Sequence, residues 1–374
     1  MRNLNHLPLS VRVPIEEDNP SIMRLEEKCI RCGMCKDACA NLMGVHGTYT
    51  LQQTGGNAVC IYCGQCANVC PVDSIVERDE CPQVRQAMTD PEKIVVVSTS
   101  PAVRAALGEA FGMEPGAFVE GKMVALLRAL GADYVLDTNF AADLTIVEEA
   151  SELIRRITEK DRPLPQFTSC CPGWVHFAEI YAPELLPHLS TAKSPIGMQG
   201  PTVKTYFAKK LGLDPRRIVH VALTPCTAKK FEIRREEMHA AADYHGIEGM
   251  RDTDQVITTR ELARWAKAEG IDWSTLEDSA YDSLMGQGLR CRRHFRQHRR
   301  RDGSRFAHSL RIPHWAGGAG IPALASGSPG IRGCAGGPGG HRRPDAPGRR
   351  HLRHRQRPEF PLPHEGERKT VPLR

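Results

Sequence analysis

The stretches CIRCGMCKDAC, residues 29–39, and CIYCGQCANVCP, residues 60–71, decide the fold of the front of this chain. Each has the spacing C-x2-C-x2-C-x3-C, and a proline follows the last cysteine of the second stretch. This spacing lets three thiolates bind one 4Fe-4S cube while the fourth cysteine reaches the neighbouring cube. The sequence therefore predicts two cubes and a role in moving electrons.

The crossing rule predicts which cysteines share a cube. One set is Cys29, Cys32, Cys35 and Cys70, and the other is Cys60, Cys63, Cys66 and Cys39. Zinc is the alternative, because C-x2-C pairs also suit a tetrahedral zinc site. Zinc needs only two pairs, however, and has no use for a third cysteine two residues further on. Ala40 stands where proline usually follows the first run.

The composition limits the class of protein. The chain has 374 residues, enough for two or three domains, and 14 cysteines. Its start lacks the apolar stretch of an export signal, and no run of about 18 apolar residues could cross a membrane. We therefore expect a cytoplasmic protein without a membrane partner, whose cysteines are metal ligands rather than disulfides.

Charge and composition divide the chain into four predicted segments. They are an N-terminal segment (1–22), a two-cluster module (23–85), a segment of alternating strand and helix patterns (86–286) and a tail (287–374). The net charge of +6 combines about −9 before residue 287 with about +15 after it. The tail is rich in arginine, glycine and proline and has no sustained apolar period, so we expect disorder there.

Between the module and Gly286, strand and helix patterns alternate. Strands are predicted at 94–98, 134–137, 165–169, 217–223 and 254–257, and helices at 101–111, 122–130, 143–159 and from 259 onward. Ser100 is expected to cap the first of these helices, with Pro101 at its first position. The alternation predicts an α/β domain with mostly parallel strands, which gather ligands at their carboxyl ends.

Two further motifs carry a family resemblance. Thr168–Trp174 reads TSCCPGW and Thr224–Glu232 reads TPCTAKKFE. They closely resemble the first two signature motifs of the FeFe hydrogenases, and the stretch from about Cys29 to Gly286 looks like that family throughout. The two-cluster module, residues 23–85, resembles a bacterial ferredoxin of the α+β class. The resemblance implies reversible reduction of protons to H2 at an H-cluster, a 4Fe-4S cube bridged by one cysteine to a di-iron unit with carbonyl, cyanide and dithiolate ligands.

The resemblance also implies roles for single residues. Cys171 and Cys226 would be cube ligands, and Cys170 the thiol that passes protons to the di-iron unit. Lys229 would hydrogen-bond one cyanide ligand, and the loop of Ser100 and Pro101 would lie near the other. A buried, inert thiol is the plain alternative for Cys170.

The helix of residues 143–159 is a candidate proton route. At 100° per residue, Glu149, Glu152 and Arg156 form one stripe, next to an apolar stripe expected to be buried. That apolar stripe contains Ile146, Ala150, Leu153 and Ile157. The resemblance implies a relay with Glu149 nearest the thiol, Ser190 between the carboxylates, and Glu152 and Arg156 toward the surface. A solvated face with an i,i+4 ion pair is the alternative that spacing alone favours.

The resemblance has two departures. Thr224 stands where the family has a methionine that packs on the di-iron unit, which suggests a less typical subgroup. The third family motif, with two more cysteines for the H-cluster, is not recognisable, because Cys291 and Cys334 lack its spacing.

A frameshift near Gly288 is our preferred account of the tail. Codons able to encode residues 294–303 read, after a one-base shift, as Ile-Phe-Gly-Asn-Thr-Gly-Gly-Val-Met-Glu, which resembles the family at this point. An arginine-rich nucleic-acid arm is the alternative. No binding fold or aromatic interleaving accompanies it, so a nucleic-acid partner is not expected.

The function predicted from these observations is a truncated FeFe hydrogenase, inactive as written because the H-cluster would not assemble. A ferredoxin or similar carrier would supply electrons, and hydrogenase maturation proteins would be partners. Two alternatives remain, a non-catalytic iron-sulfur electron carrier and a hydrogenase-like iron-sulfur assembly protein.

Overall fold

A computed structural model describes residues 11–46 and 59–286 of the chain. The front of the chain forms a small two-stranded module around the cysteine runs. Its elements are β1 (Ile22–Arg24), α1 (Met34–Asp37), a π-helical turn (Ala38–Leu42), α2 (Gln65–Asn68) and β2 (Ile75–Glu77). The strands pair antiparallel, with Ile22 opposite Glu77. Gly33 and Gly64 directly precede α1 and α2 with φ of +83° and +71°, values that favour glycine.

The remaining described residues form an α/β domain. Its strands are β3 (Ile94–Thr99), β4 (Tyr134–Asp137), β5 (Ile218–Leu223) and β6 (Gln255–Ile257). They make one parallel sheet in the order β4-β3-β5-β6. The predicted fold class is confirmed: a parallel sheet with helices, preceded by the small module.

Helices cover this sheet and connect its strands. In chain order they are α3 (Cys81–Thr89), α4 (Val103–Ala106), α5 (Glu120–Ala129), α6 (Asn139–Glu159), α7 (Pro172–Tyr181), α8 (Pro195–Thr202), α9 (Ala208–Leu211), α10 (Ala228–Glu232), α11 (Ala240–His245) and α12 (Thr259–Ala268). A π-helical stretch, Val203–Phe207, joins α8 to α9, and 3-10 turns occupy Leu107–Phe111 and Pro183–His188. None of the described helices is long and apolar enough to span a lipid bilayer.

The core lies on both faces of the sheet. Val95 and Val97 of β3 join the larger apolar cluster on one face, and Val96 joins a second cluster on the other. This alternation explains why the buried strand showed as a continuous apolar run, since both faces are covered by helices. Cys81 belongs to none of the cysteine motifs, and it is buried in the larger cluster.

Three local predictions were wrong. Ser100 does not cap a helix with its side chain; its carbonyl accepts from Val103 N at 3.1 Å, and helix α4 begins only at Val103. Residues 165–169 form no strand, because Phe167 makes only an isolated bridge to Leu189. The apolar stripe of α6 is exposed rather than buried, with Ile146 and Leu153 each 38 % and Ile157 54 % exposed. The buried stripe of α6 is instead the polar one.

Candidate functional site: three groups of cysteines

Four cysteines surround a first cavity, which we call the distal site. Cys29, Cys32, Cys35 and Cys70 line it, in the set predicted by the crossing rule. Backbone N–H groups reach two of these sulfurs: Val13 N lies 3.5 Å from Cys35 Sγ, and Ser74 N lies 3.2 Å from Cys70 Sγ. Four convergent thiols with N–H donors fit a 4Fe-4S cube, whose potential depends on such hydrogen bonds.

A second cavity, the medial site, has the other predicted set. Cys39, Cys60, Cys63 and Cys66 line it. Tyr62 N donates to Cys60 Sγ at 3.3 Å, and Asn19 Nδ2 lies 3.6 Å from the same sulfur. Burial raises the pKa of Cys60 to about 11 and raises that of Cys66 further. Thiols this hard to ionise need a cation's charge to become thiolates, which also fits a metal cluster.

The medial site lies beside the next cysteines along the chain. Cys171 precedes α7, and Cys226 follows β5 in the loop before α10. A Cβ atom added to Gly173 would lie 3.9 Å from Cys63 Cβ and 4.0 Å from Cys171 Sγ. Burial raises the pKa of Cys226, Lys229 opposes this, and the nearby Cys171 adds to it. Gly173 therefore lies between Cys63 of the medial site and Cys171.

Cys170 and Lys229 meet next to this pair. Cys170 is exposed, and its carbonyl accepts a hydrogen bond from Lys229 Nζ at 2.9 Å. Lys229 also donates to Glu232 Oε2 at 2.7 Å, and Ser194 Oγ donates to the same oxygen at 3.0 Å. Sequence reasoning missed Glu232, although its i,i+3 spacing from Lys229 on α10 was the signal. The buried ammonium is thus held in place beside Cys170.

The predicted proton-relay residues lie together. Ser190 Oγ donates to Glu152 Oε2 at 2.7 Å, and Arg156 Nη2 lies 2.7 Å from Glu152 Oε1. Burial raises the pKa of Glu149, and the Glu152 carboxylate adds to the shift, while Ser169 and Ser190 oppose it. Glu149 Oε1 is buried without a hydrogen-bond partner among the described residues. The Ser190 hydroxyl therefore interacts with both carboxylates.

The outer end of this group differs from the expectation. Glu152 is 7 % and Arg156 1 % exposed, so neither lies toward the surface in the described structure. Burial alone would raise the pKa of Glu152. Hydrogen bonds from Arg156, Ser190 and Thr191 outweigh burial and lower this pKa to about 2. The solvated alternative is wrong because this pair is inside the protein.

The loop after β3 lies at the same sheet edge as Cys226. Ser100 N donates to Leu223 O at 2.8 Å, so the ends of β3 and β5 are tied together. Pro101 is exposed. Thr224, also at the end of β5, is buried and its N–H donates to Ile257 O at 3.0 Å. Cys170 and Cys171, in contrast, follow no strand, because residues 165–169 do not join the sheet.

The cysteines of the last group are too few for a complete cube. A 4Fe-4S cube takes four thiolates, and within residues 11–46 and 59–286 this site offers Cys171 and Cys226. Cys291 and Cys334 lie outside the described residues, as does the predicted tail. The described part therefore fits two cubes in the module but supplies only half of the ligands for a third.

Comparison with known proteins gives the family. The family model "Iron only hydrogenase large subunit, C-terminal domain" matches residues 93–298, more than half of the chain, and a 4Fe-4S binding domain matches residues 57–76. The chain belongs to the iron-only hydrogenase large-subunit family. It contains a 4Fe-4S motif of the ferredoxin type.

The relatives include a hydrogenase subunit and an iron-sulfur assembly component. The chain is 44 % identical over 283 residues to NADP-reducing hydrogenase subunit HndD of Solidesulfovibrio fructosivorans, covering 71 % of this chain and 47 % of the relative. It is 37 % identical over 204 residues to cytosolic iron-sulfur assembly component 3 of Bos taurus, covering 54 % and 42 %. The chain spans about half the length of the curated hydrogenases it matches.

A solved structure agrees with the fold. Apo [FeFe]-hydrogenase HydA1 from Chlamydomonas reinhardtii, variant C377H, superposes with a TM-score of 0.52 at 41 % identity. The match covers 56 % of this chain and 53 % of that chain.

Proposed function

We propose that this chain is the electron-entry part of an FeFe hydrogenase. A ferredoxin or similar carrier would deliver electrons to the distal cube, which would pass them to the medial cube and on toward Cys171 and Cys226. The observation that carries this proposal is the order of the three cysteine groups, with Gly173 between Cys63 and Cys171.

The residues around Cys170 support the hydrogen-forming part of the proposal. In an intact site, Cys170 would exchange a proton with the di-iron unit, and Glu149, Ser190 and Glu152 would connect the thiol to the exterior. Lys229, held by Glu232, would donate to a cyanide ligand. The loop of Ser100 and Pro101 would line the other side of the pocket. The cofactor would supply the hydrogen chemistry itself, and the chain would supply proton positions and charge.

We further propose that the polypeptide as written does not make H2. Two thiolates at the third cysteine group leave a cube half-ligated, and the remaining cysteines of the sequence lack the family spacing. The arrangement favours loading of the module without assembly of the H-cluster. The cytoplasmic location and a requirement for maturation proteins stay predictions.

One experiment tests this function. The chain would be coexpressed with hydrogenase maturation proteins, purified anaerobically and examined for iron, infrared bands and H2 evolution. We expect two 4Fe-4S cubes, no carbonyl or cyanide bands and no H2. H2 evolution at rates usual for the family would contradict the inactive assignment, and a sample without cubes would contradict electron transfer altogether.

An iron-sulfur assembly role is the second candidate. The resemblance to an assembly component favours it. The adjacent Cys170 and Cys171 and the Lys229–Glu232 pair oppose it, since these residues suit a di-iron unit with anionic ligands. Incubating the loaded chain with an apo-ferredoxin distinguishes the two: an assembly protein would transfer its cluster, whereas an electron-transfer protein would retain both cubes.

A further inference from the structure

Thr227 joins the two-cluster module to the α/β domain. Its hydroxyl donates to Tyr62 O at 2.9 Å, and its own carbonyl accepts from Ser21 Oγ at 2.8 Å. Thr227 directly follows Cys226, and Tyr62 directly precedes Cys63. A path of covalent bonds from Cys63 to Cys226 therefore includes one hydrogen bond, the one between Thr227 Oγ1 and Tyr62 O.

Aromatic rings hold Tyr62 at this contact. The Tyr62 ring stacks on Phe231, with centroids 4.3 Å apart, and on His176, with centroids 5.3 Å apart. Both partners belong to the α/β domain. Gly64 completes the close approach, because an added Cβ there would lie 2.5 Å from Thr227 Oγ1. Only a glycine lets the cysteine loop reach the Thr227 hydroxyl.

The distal loop provides a natural comparison. Arg31 occupies in the first run the position of Tyr62 in the second, and both have positive φ, 55° and 61°. The left-handed turn therefore belongs to the cysteine spacing and does not depend on the α/β domain. The surroundings differ, since Arg31 is exposed while Tyr62 is packed and hydrogen-bonded.

We propose that Thr227 is a positioning residue that raises the reduction potential of the medial cluster. Its hydroxyl polarises the peptide between Tyr62 and Cys63, which strengthens the N–H dipole of Cys63 beside the medial cavity. Such dipoles favour the more negative, reduced cluster. Reduction of a cube held there would take one electron from the carrier and change the cube from its 2+ to its 1+ state. The hydroxyl thus makes electron arrival at the cube next to Cys226 more favourable.

This inference rests on the proposed cubes of the module but not on H2 chemistry. The test is a redox titration of the full chain followed by electron paramagnetic resonance, with Cys32→Ala assigning the distal signal. We expect Thr227→Val to lower the equilibrium constant for reduction of the medial cluster about threefold to tenfold. A tenfold change corresponds to 59 mV for one electron. The distal cluster serves as the internal control and stays unchanged.

Further variants make the outcome decisive. Thr227→Ser keeps the hydroxyl and should retain the wild-type potential of the medial cluster. Thr227→Ala removes the hydroxyl with a smaller side chain, should lower the potential as Thr227→Val does, and replaces that variant if it fails to bind the medial cluster. Thr205→Val is the matched control, because Thr205 Oγ1 donates to Pro201 O, four residues earlier in the chain, at 2.7 Å. An unchanged medial potential in both the valine and alanine variants overturns this inference alone. A wild-type chain without a medial cluster overturns the proposed function as well.

Discussion

Glu152 and Arg156 form a buried ion pair one turn apart on α6, with Arg156 Nη2 2.7 Å from Glu152 Oε1. The guanidinium also donates to Leu189 O at 2.6 Å and to the carbonyls of Pro163, Pro187 and His188. It therefore ties α6 to the segment that precedes Ser190. The pair fixes the position of the serine that lies between the two carboxylates.

Glu152→Gln should destabilise the protein by about 3 kcal/mol at neutral pH. Removing one partner of a buried pair leaves the other charge uncompensated, which costs more than the pair contributes. Urea unfolding followed by far-UV circular dichroism, on samples with equal iron content, measures the change. Glu159→Gln on the same helix is exposed and should shift stability by less than about 0.5 kcal/mol. Equal effects of the two variants would show that the buried pair has no special role.

The pKa of Glu149 and the pKa of Glu152 should be shifted in opposite directions from the ordinary value of a glutamate. The folded-state pKa of Glu152, about 2, lies below its unfolded value of about 4.3, so its stabilising contribution is full above pH 4.3 and is lost toward pH 2. The pKa of Glu149 is raised, so its ionisation reduces stability as pH rises through that value. Infrared difference spectra against Glu149→Gln and Glu152→Gln should assign the carboxyl that stays protonated longer to Glu149. The reverse assignment would exclude the burial argument.

Removal of one medial cysteine should delete one cube and leave the other. Cys63→Ala should halve the iron content and remove the signal assigned to the medial cluster, and Cys32→Ala should do the same at the distal site. Cys81→Ala is the matched control. Cys81 is buried in the apolar core, and the nearby Glu261 carboxylate is already bonded to Lys230 and Thr258. Loss of iron in the Cys81 variant would contradict the assignment of ligands to the two runs.

Lys229→Met should leave the Glu232 carboxylate buried without its cation. We expect a loss of about 3 kcal/mol in unfolding free energy, because the charge on Glu232 stays desolvated. The double variant Lys229→Met with Glu232→Gln should recover part of the loss, and Lys209→Met, an exposed lysine, should change little. Urea unfolding measures all of them. A double variant no more stable than Lys229→Met would argue against direct coupling of the pair.

The sequence predicted the strands best where helices bury both faces of the sheet. β3 and β5 are mostly apolar, and their bounds agree with the prediction to within one residue because helices cover both faces of the sheet. The spacing of the cysteine runs likewise predicted which thiols surround each cavity, since local geometry sets it.

Periodicity failed on α6 for a physical reason. Ile146, Leu153 and Ile157 form an apolar stripe, but the described residues pack against Glu152 and Arg156 instead. Periodicity identifies an apolar face but not which face is covered. The contact between Thr227 and Tyr62 could not be predicted, because it joins residues 165 positions apart that carry no shared signal.

The central claim is that the eight cysteines of the two runs hold two cubes that lead to Cys171 and Cys226. Iron and zinc analysis of the anaerobically prepared chain, with electron paramagnetic resonance of the reduced sample, tests it most directly. The account predicts about eight iron atoms per chain, four per cube, no zinc and two magnetically interacting signals. Bound zinc, or a single isolated cube, would contradict it.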